Sequence, residues 1–221
     1  QVNAVDVEIE ELVIRAASGK YNLLPHLIEL NIYENIFRSA LTANLTLSDS
    51  HNIPAKLPIV GQETVDINIK FTGGSDGADE KFVNIKPPPM HVNSVPTRNY
   101  NKPKSQLFSL DMISEQYMSS VHSKVSRSYK DVAISDIVKD IYNTYIDDDN
   151  GMWIEETERD ETCIIPNLRP YEAINWLARR AKQGDDYGVN YVFYETINGS
   201  FFVSLNYLAS QIESGVTFVH K

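Results

Sequence analysis

The sequence predicts an α+β chain, mainly β, with a strand-rich barrel or sandwich over residues 1–118 and a mixed, helix-containing unit over residues 119–221. Three observations carry this reading. Short apolar-polar alternations recur through the first half, apolar residues switch to helical spacing near Ile134, and an Asn-Gly pair separates two aromatic runs near the end.

The stretch VDVEIEELVIR alternates from Val5 to Ile9 and reads as a strand, with a turn at SGKYN. LPHLIELNIYENIF places His26, Ile28, Leu30 and Ile32 on one strand face and turns near Glu34 and Asn35. Leu41, Ala43, Leu45 and Leu47 then oppose Thr42, Asn44, Thr46 and Ser48, and Val65, Ile67, Ile69 and Phe71 oppose Asp66, Asn68 and Lys70. Such runs are half-buried strands with one wet face. Between them Ser48, Asp49 or Ser50 caps a short helix at HNIPAKL, with Pro54 in its first turn and Pro58 and Gly61 ending it. TGGSDGADE reads as a hairpin tip because strands resume at KFVNIK. Pro87 to Pro89 break or stiffen the chain, TRNYNKPKSQ reads as a loop, and QLFSLDMISEQYM as the last strand of this half.

From about Ser119 the periodicity changes. Ile134, Ile137, Val138, Ile141, Tyr142 and Tyr145 recur at helical spacing and predict one buried helical stripe. The helix runs into DDDNG, which fails as a calcium loop: counted from Asp147, the fifth position is Gly151, which has no side-chain oxygen. A solvated loop is expected there. TCIIP reads as a strand. In IIPNLRPYEAINWLARRAKQG, Pro170 suits the first helical position, Gly184 the left-handed cap, and Ala173, Ile174, Leu177, Ala178 and Ala181 one apolar face. YVFYE and FFVSL flank TINGS as a β-hairpin.

Bulk properties narrow the function classes. Of 221 residues, 42% are hydrophobic and 23% charged, ample for packed cores, and no apolar run reaches the length of a membrane helix. Thirty acidic against 20 basic residues give a net charge of −10, which argues against gripping nucleic-acid phosphates but is compatible with a passage through which nucleic acid slides. The lone Cys163 permits no internal disulfide and suits a reducing cytoplasm; the glycosylation-like matches at Asn44 and Asn198 then read as fortuitous. The chain opens at Gln1 without an initiator Met or a signal-like start, which reads as a processed or trimmed end. SGVTFVHK reads as a strand beginning, so the polypeptide is expected to continue past Lys221.

No catalytic constellation emerges. His26, His51, His91, His122 and His220 are scattered, and the His26 and Glu29 pair falls on opposite strand faces, so no zinc site, other metal or cofactor is expected. Cys163 reads as a small buried side chain, and Glu155, Glu156, Asp185 and Asp186 read as loop acids. Phosphate-binding, dinucleotide and nucleophile-elbow motifs are missing. Arg179, Arg180 and Lys182 form a basic spot on a helix face, with Arg169 before it, readable as a solvated face or as an anchor for a partner's acidic surface. The aromatics Tyr187, Tyr191, Phe193, Tyr194, Phe201, Phe202 and Tyr207 read mostly as sheet packing, with some available to an oligomer interface.

The order of these elements resembles the central baseplate hub protein of contractile-tailed bacteriophages and, more distantly, the hub-like part of type VI secretion spike proteins. LTLSDSHNIPAKLPIVGQETVDINI, the helix start Ile134-Ser135-Asp136-Ile137, and IPNLRPYEAINWLARRA with its hairpin carry the resemblance. It implies a tail-tube-like β-barrel followed by a helix-containing mixed domain and part of a second barrel, in a non-enzymatic homotrimer. Such a ring adapts the sixfold tail tube protein to the threefold central spike protein within the virion baseplate, with other baseplate proteins as partners and DNA as passing cargo. Candidate interface positions are Tyr33, Glu34, Asn35, Phe37, Arg169, Arg179, Arg180, Tyr194 and Phe202. A tail-associated cell-wall hydrolase and a carbohydrate- or receptor-binding β module remain alternatives.

Overall fold

A computed structural model describes residues 6–49, 53, 59, 61–73, 81–102, 105–146, 151–158, 160–182 and 190–211. The alternating runs of the first half form β1 (Asp6–Ala16), β2 (Gly19–Asn22), β3 (Leu27–Tyr33), β4 (Thr42–Asp49), β5 (Thr64–Gly73), β6 (Lys81–Ile85), β7 (Met90–Lys102) and β8 (Ser105–Ser114). They make one antiparallel sheet in the order β2-β1-β5-β7-β8-β4-β3, with β6 also on β5, curled into half a barrel. The inward register buries Leu12, Ile14, Leu45, Leu47, Ile67 and Leu110. Each such side chain contributes roughly 1.5–3 kcal/mol over its exposed state. On the other face of β4 and β8, Asn44 Nδ2 donates to Asp111 Oδ1 at 2.7 Å, and the hydroxyls of Thr46 and Ser109 lie 3.3 Å apart. The sheet thus separates an aliphatic side from a hydrogen-bonded polar one.

Two bulges correct the simple alternation. In β1 the pairing steps from Ile9 opposite Ile69 to Leu12 opposite Ile67, with a register shift after Ile9. Ile9 and Leu12 therefore share a face although three residues apart. In β3 the register shifts between Leu27 and Glu29, so Ile28 leaves the expected inward row and is 54% exposed, while Leu27, Leu30 and Ile32 pack on the core. His26 is not in that row either: it ends a 3₁₀ turn, Leu24–His26, with Nδ1 3.1 Å from the Ser48 carbonyl oxygen.

Two further corrections concern the end of this half. The expected loop TRNYNKPKSQ is largely strand, because β7 runs to Lys102 and pairs with β8 through Arg98–Phe108, Asn99–Leu107 and Tyr100–Gln106. Its partner supplies the pattern that β7 itself lacks. Conversely, the strand expected to continue to Met118 stops at Ser114, whose Oγ accepts the Tyr117 N–H at 3.4 Å and caps α1 (Glu115–Val121). Of the HNIPAKL helix only Ile53 is described; it is buried and donates its N–H to Asp49 Oδ2 at 2.6 Å, the bond expected of a capping acid. The rest of that helix, the Gly-rich tip at 74–80, Asp147 to Asn150, Gly184 to Asp186 and SGVTFVHK lie outside the described residues.

The second half contains β9 (Ser128–Ala133), α2 (Ile134–Tyr145), β10 (Met152–Ile154), β11 (Asp160–Ile164), α3 (Pro170–Ala178), β12 (Tyr191–Thr196), β13 (Gly199–Ser204) and α4 (Leu205–Ser210). Helices α2 and α3 pack together, and the predicted stripes Ile137-Val138-Ile141-Tyr142 and Ala173-Ile174-Leu177-Ala178 are buried. α3 ends earlier than expected: Arg180 and Ala181 both donate to the Leu177 carbonyl oxygen, closing the last turn after Ala178. The Asn198-Gly199 hairpin forms as predicted, and β10 adds to β13 in parallel, while β9 pairs with β11. Cys163 on β11 is buried.

Candidate functional site

Hydrogen bonding dictates where buried acids must sit, since an unpaired carboxylate in a core is costly. Glu195 on β12 is buried and accepts the Leu41 N–H at 2.8 Å, the Ser114 hydroxyl at 2.5 Å and the Tyr171 hydroxyl. One carboxylate therefore ties the sheet, the cap of α1 and α3 together. Two residues on, Ile197 packs against the core of the curled sheet and donates its N–H to Glu34 Oε1 at 2.7 Å. Asn175 on α3 adds a bond to the Ser39 hydroxyl at 2.6 Å. Glu155, expected in a loop, is buried and accepts the Ser204 N–H at 2.6 Å. It is a structural acid and is not available as a surface catalyst.

Three concavities follow from this packing. The first, about 500 Å³, has an aliphatic floor of Val7, Ile9, Leu30, Ile32, Ile69 and Ile85, with Ile28 beside it and, among the described residues, Glu29 and Glu34 as its charged lining. It lies where, among the described residues, β1 and β3 present unpaired edges: β2 covers β1 from Val13 to Ala16, and β3 pairs with β4. The second, about 560 Å³, is lined by Tyr129, Lys130, Cys163, Ile164, Trp176 and Arg180 among others, with no carboxylate among the described residues. Arg180 stacks over Trp176 at 4.4 Å and reaches Glu161 only at 3.9 Å, a half-exposed pair of little strength. Ile164, an outward residue of β11, is 70% exposed. The third, about 470 Å³, is polar, with Glu34, Arg38, Asn44, Asn93 and Asp111.

Fold comparisons place this arrangement. Over 94% of its residues the chain superposes on 56% of the 43 kDa tail protein of prophage MuSo2 from Shewanella oneidensis, at a TM-score of 0.60 and 13% identity. It matches a tail protein from Neisseria meningitidis MC58 at 0.52 and 12%, covering 87% of this chain and 49% of that one. A chain of the Francisella PdpA–VgrG complex in its lidded form matches at 0.52 and 15%, with 97% and 31% covered. The fold is that of phage tail proteins. The chain spans about half the length of the two tail proteins. No family model matches the sequence, and no curated protein matches it.

Within this fold the candidate interface residues separate into three groups. Tyr33, Glu34, Asn35 and Phe37 form one exposed corner after β3, held by the Asn35 Oδ1 bond to the Phe37 N–H at 2.9 Å; Phe37 is 75% exposed. Arg179 and Arg180 are exposed beside the second concavity, and Arg169 is half-buried before α3, its N–H bonded to Glu172 Oε2 at 3.0 Å. Phe202, at 0% exposure, and Tyr194, buried and stacked on Phe201 at 5.4 Å, belong to the protein's interior. Both faces of β12 and β13 are covered, so aromatic alternation there marks packing and offers no outer surface.

The ionisable groups fit a packed, non-titrating interior. Burial, followed by the Asp140 hydrogen bond, pushes Tyr129 up to about 12, and burial likewise raises Tyr191, Tyr194 and the Cys163 thiol. A raised thiol is a poor nucleophile. Among the described residues no group of acids, His or Cys is placed to hold a metal, and no helix is long and apolar enough to cross a membrane. Glu195 escaped the sequence reading. Its one signal is an acid in the register of Tyr191 and Phe193, where an apolar residue is due.

Proposed function

We propose that this chain is a structural subunit of a phage tail baseplate hub or a related injection device. The superposition of 94% of the chain on a phage tail protein carries this reading. In it, three copies form a ring that adapts a sixfold tail tube to a threefold spike, in a virion tail, with the tube, the spike and neighbouring baseplate proteins as partners and DNA passing through the middle. The aliphatic-polar division of the sheet supports a wall element, because one face packs while the other stays wet. The edges of β1 and β3, unpaired among the described residues, support side-by-side assembly, which disposes of edges that otherwise invite aggregation. The division at residue 118 is supported by two separate cores, with α1 spanning the join.

No catalytic role enters this reading, and the protein acts by shape and contact. Native mass by light scattering at high concentration, with and without co-expressed tail neighbours, is the test. A particle of three copies is expected, alone or on a spike. A monomer under both conditions would overturn the ring.

A further inference from the structure

We infer that Ile164, exposed on the cationic shelf at the second concavity of one copy, inserts into the aliphatic groove between β1 and β3 of the next, as the repeating contact of the ring; this rests on the trimeric reading above. The two surfaces share no residue and are opposite in kind. The groove is concave, its floor is aliphatic, and its charged lining residues among those described are Glu29 and Glu34. On the shelf, Ile164 stands 70% exposed, and the lining charges are Lys130 and Arg180. In a chain of net charge −10, a concavity whose described lining carries two cations, with Glu161 and Asp140 only at its margin, is a local exception. A second copy supplies both the aliphatic groove that Ile164 needs and the acids that the cations need.

The chemistry of each side favours this occupant. Val7 and Ile28 leave 57% and 54% of their surface to water at the groove, an exposure that burial against another aliphatic chain removes. Glu29 accepts from Asn31 and Glu34 from the Ile197 N–H, and each keeps further acceptor capacity because a carboxylate has about four lone-pair sites. Arg180 is held over Trp176, and its long contact to Glu161, at 3.9 Å in a half-exposed site, is readily exchanged for a planar partner carboxylate. The contact joins unlike surfaces, so it repeats head to tail and closes when the rotation allows.

The test is charge exchange in the full chain, read as the mass distribution in sedimentation. Lys130→Glu with Arg180→Glu, and separately Glu29→Lys with Glu34→Lys, are each expected to weaken ring formation about a hundredfold by placing like charges together. Combining all four in one chain restores it. As a geometric check, a chain with Ile28→Cys mixed with one carrying Ile164→Cys forms a disulfide-linked dimer that neither forms alone; both positions are exposed, so the substitutions leave the cores intact. Rings that persist in both double variants, or that the fourfold exchange fails to restore, would overturn this contact and leave the ring standing. A wild-type chain that never associates would overturn both.

Discussion

The two cores are built on different terms. Beneath the curled sheet the buried hydrophobic side chains are aliphatic or Met apart from Phe108, beside the buried polar groups Asp49, Glu63 and Gln106, whereas the core around α2 and α3 buries Tyr142, Tyr171, Tyr191, Phe193 and Phe202. Strand register selects most of the first hydrophobic set, with Leu23, Leu41 and Ile53 added from outside the strands, and none of those side chains carries a polar atom in need of a partner. The second set stacks edge to face, with Tyr171 and Phe193 at 5.0 Å and 67°, and each hydroxyl needs an acceptor. Tyr142 donates to Ser200 at 2.9 Å, Tyr191 to the Glu156 carbonyl at 3.0 Å, and Tyr171 to Glu195. The lesson is that alternation suffices where a sheet covers itself, while a mixed helix-strand core needs polar ends to fix its geometry.

The largest way to break this comparison is to hollow each core. Phe202→Ala should cost about 4 kcal/mol and Leu45→Ala about 3 kcal/mol in urea unfolding, as both are fully buried. Calorimetry sharpens the result. Two transitions, each moved by one variant alone, would show independent cores; a single transition moved by both would show that the junction couples them.

A smaller effect addresses that junction. Glu195→Gln keeps the shape but turns an NH₂ toward donors from Leu41, Ser114 and Tyr171, and should cost about 2 kcal/mol. Combined with Tyr171→Phe, the two losses should add to less than their sum; strict additivity would separate the pair.

The smallest effect is in alkali. Tyr129 is raised to about 12, so its folded state resists ionisation that the unfolded chain undergoes near pH 10. Stability is therefore full below about pH 10 and falls as pH rises through 12, the sign expected of a raised pKa. Tyr129→Phe should remove part of that fall, at a cost of at most about 1 kcal/mol at neutral pH for the lost Asp140 bond in a half-exposed site. Absorbance titration of tyrosinate follows the same group, and ionisation of Tyr129 at the ordinary value would contradict it.

Much of the fold was legible in the sequence because its signals are local. The strands at Leu41 to Leu47 and Val65 to Phe71, the stripe of α2, Pro170 at the head of α3 and the Asn198-Gly199 hairpin all follow from spacing within a few residues. What escaped depends on partners distant in the chain. β7 is a strand because β8 pairs with it, and the slip at Ile28 exists because β4 fixes the register on either side. Of the candidate interface, the exposed corner Tyr33 to Phe37 followed from a turn signal, whereas Tyr194 and Phe202 misled because aromatic strand residues look alike whether they face a partner chain or their own helices.

The two bonds at the tip of β12 also define how the molecule carries force. Glu195 and Ile197 are two residues apart, and each is pinned to the first half, one through its side chain and one through its backbone. Tension between the halves reaches both bonds, together with the Ile197 side chain seated on the sheet, so they act as a rivet that shares load. A zipper that opens one bond at a time would yield gradually; this join resists until its members release together.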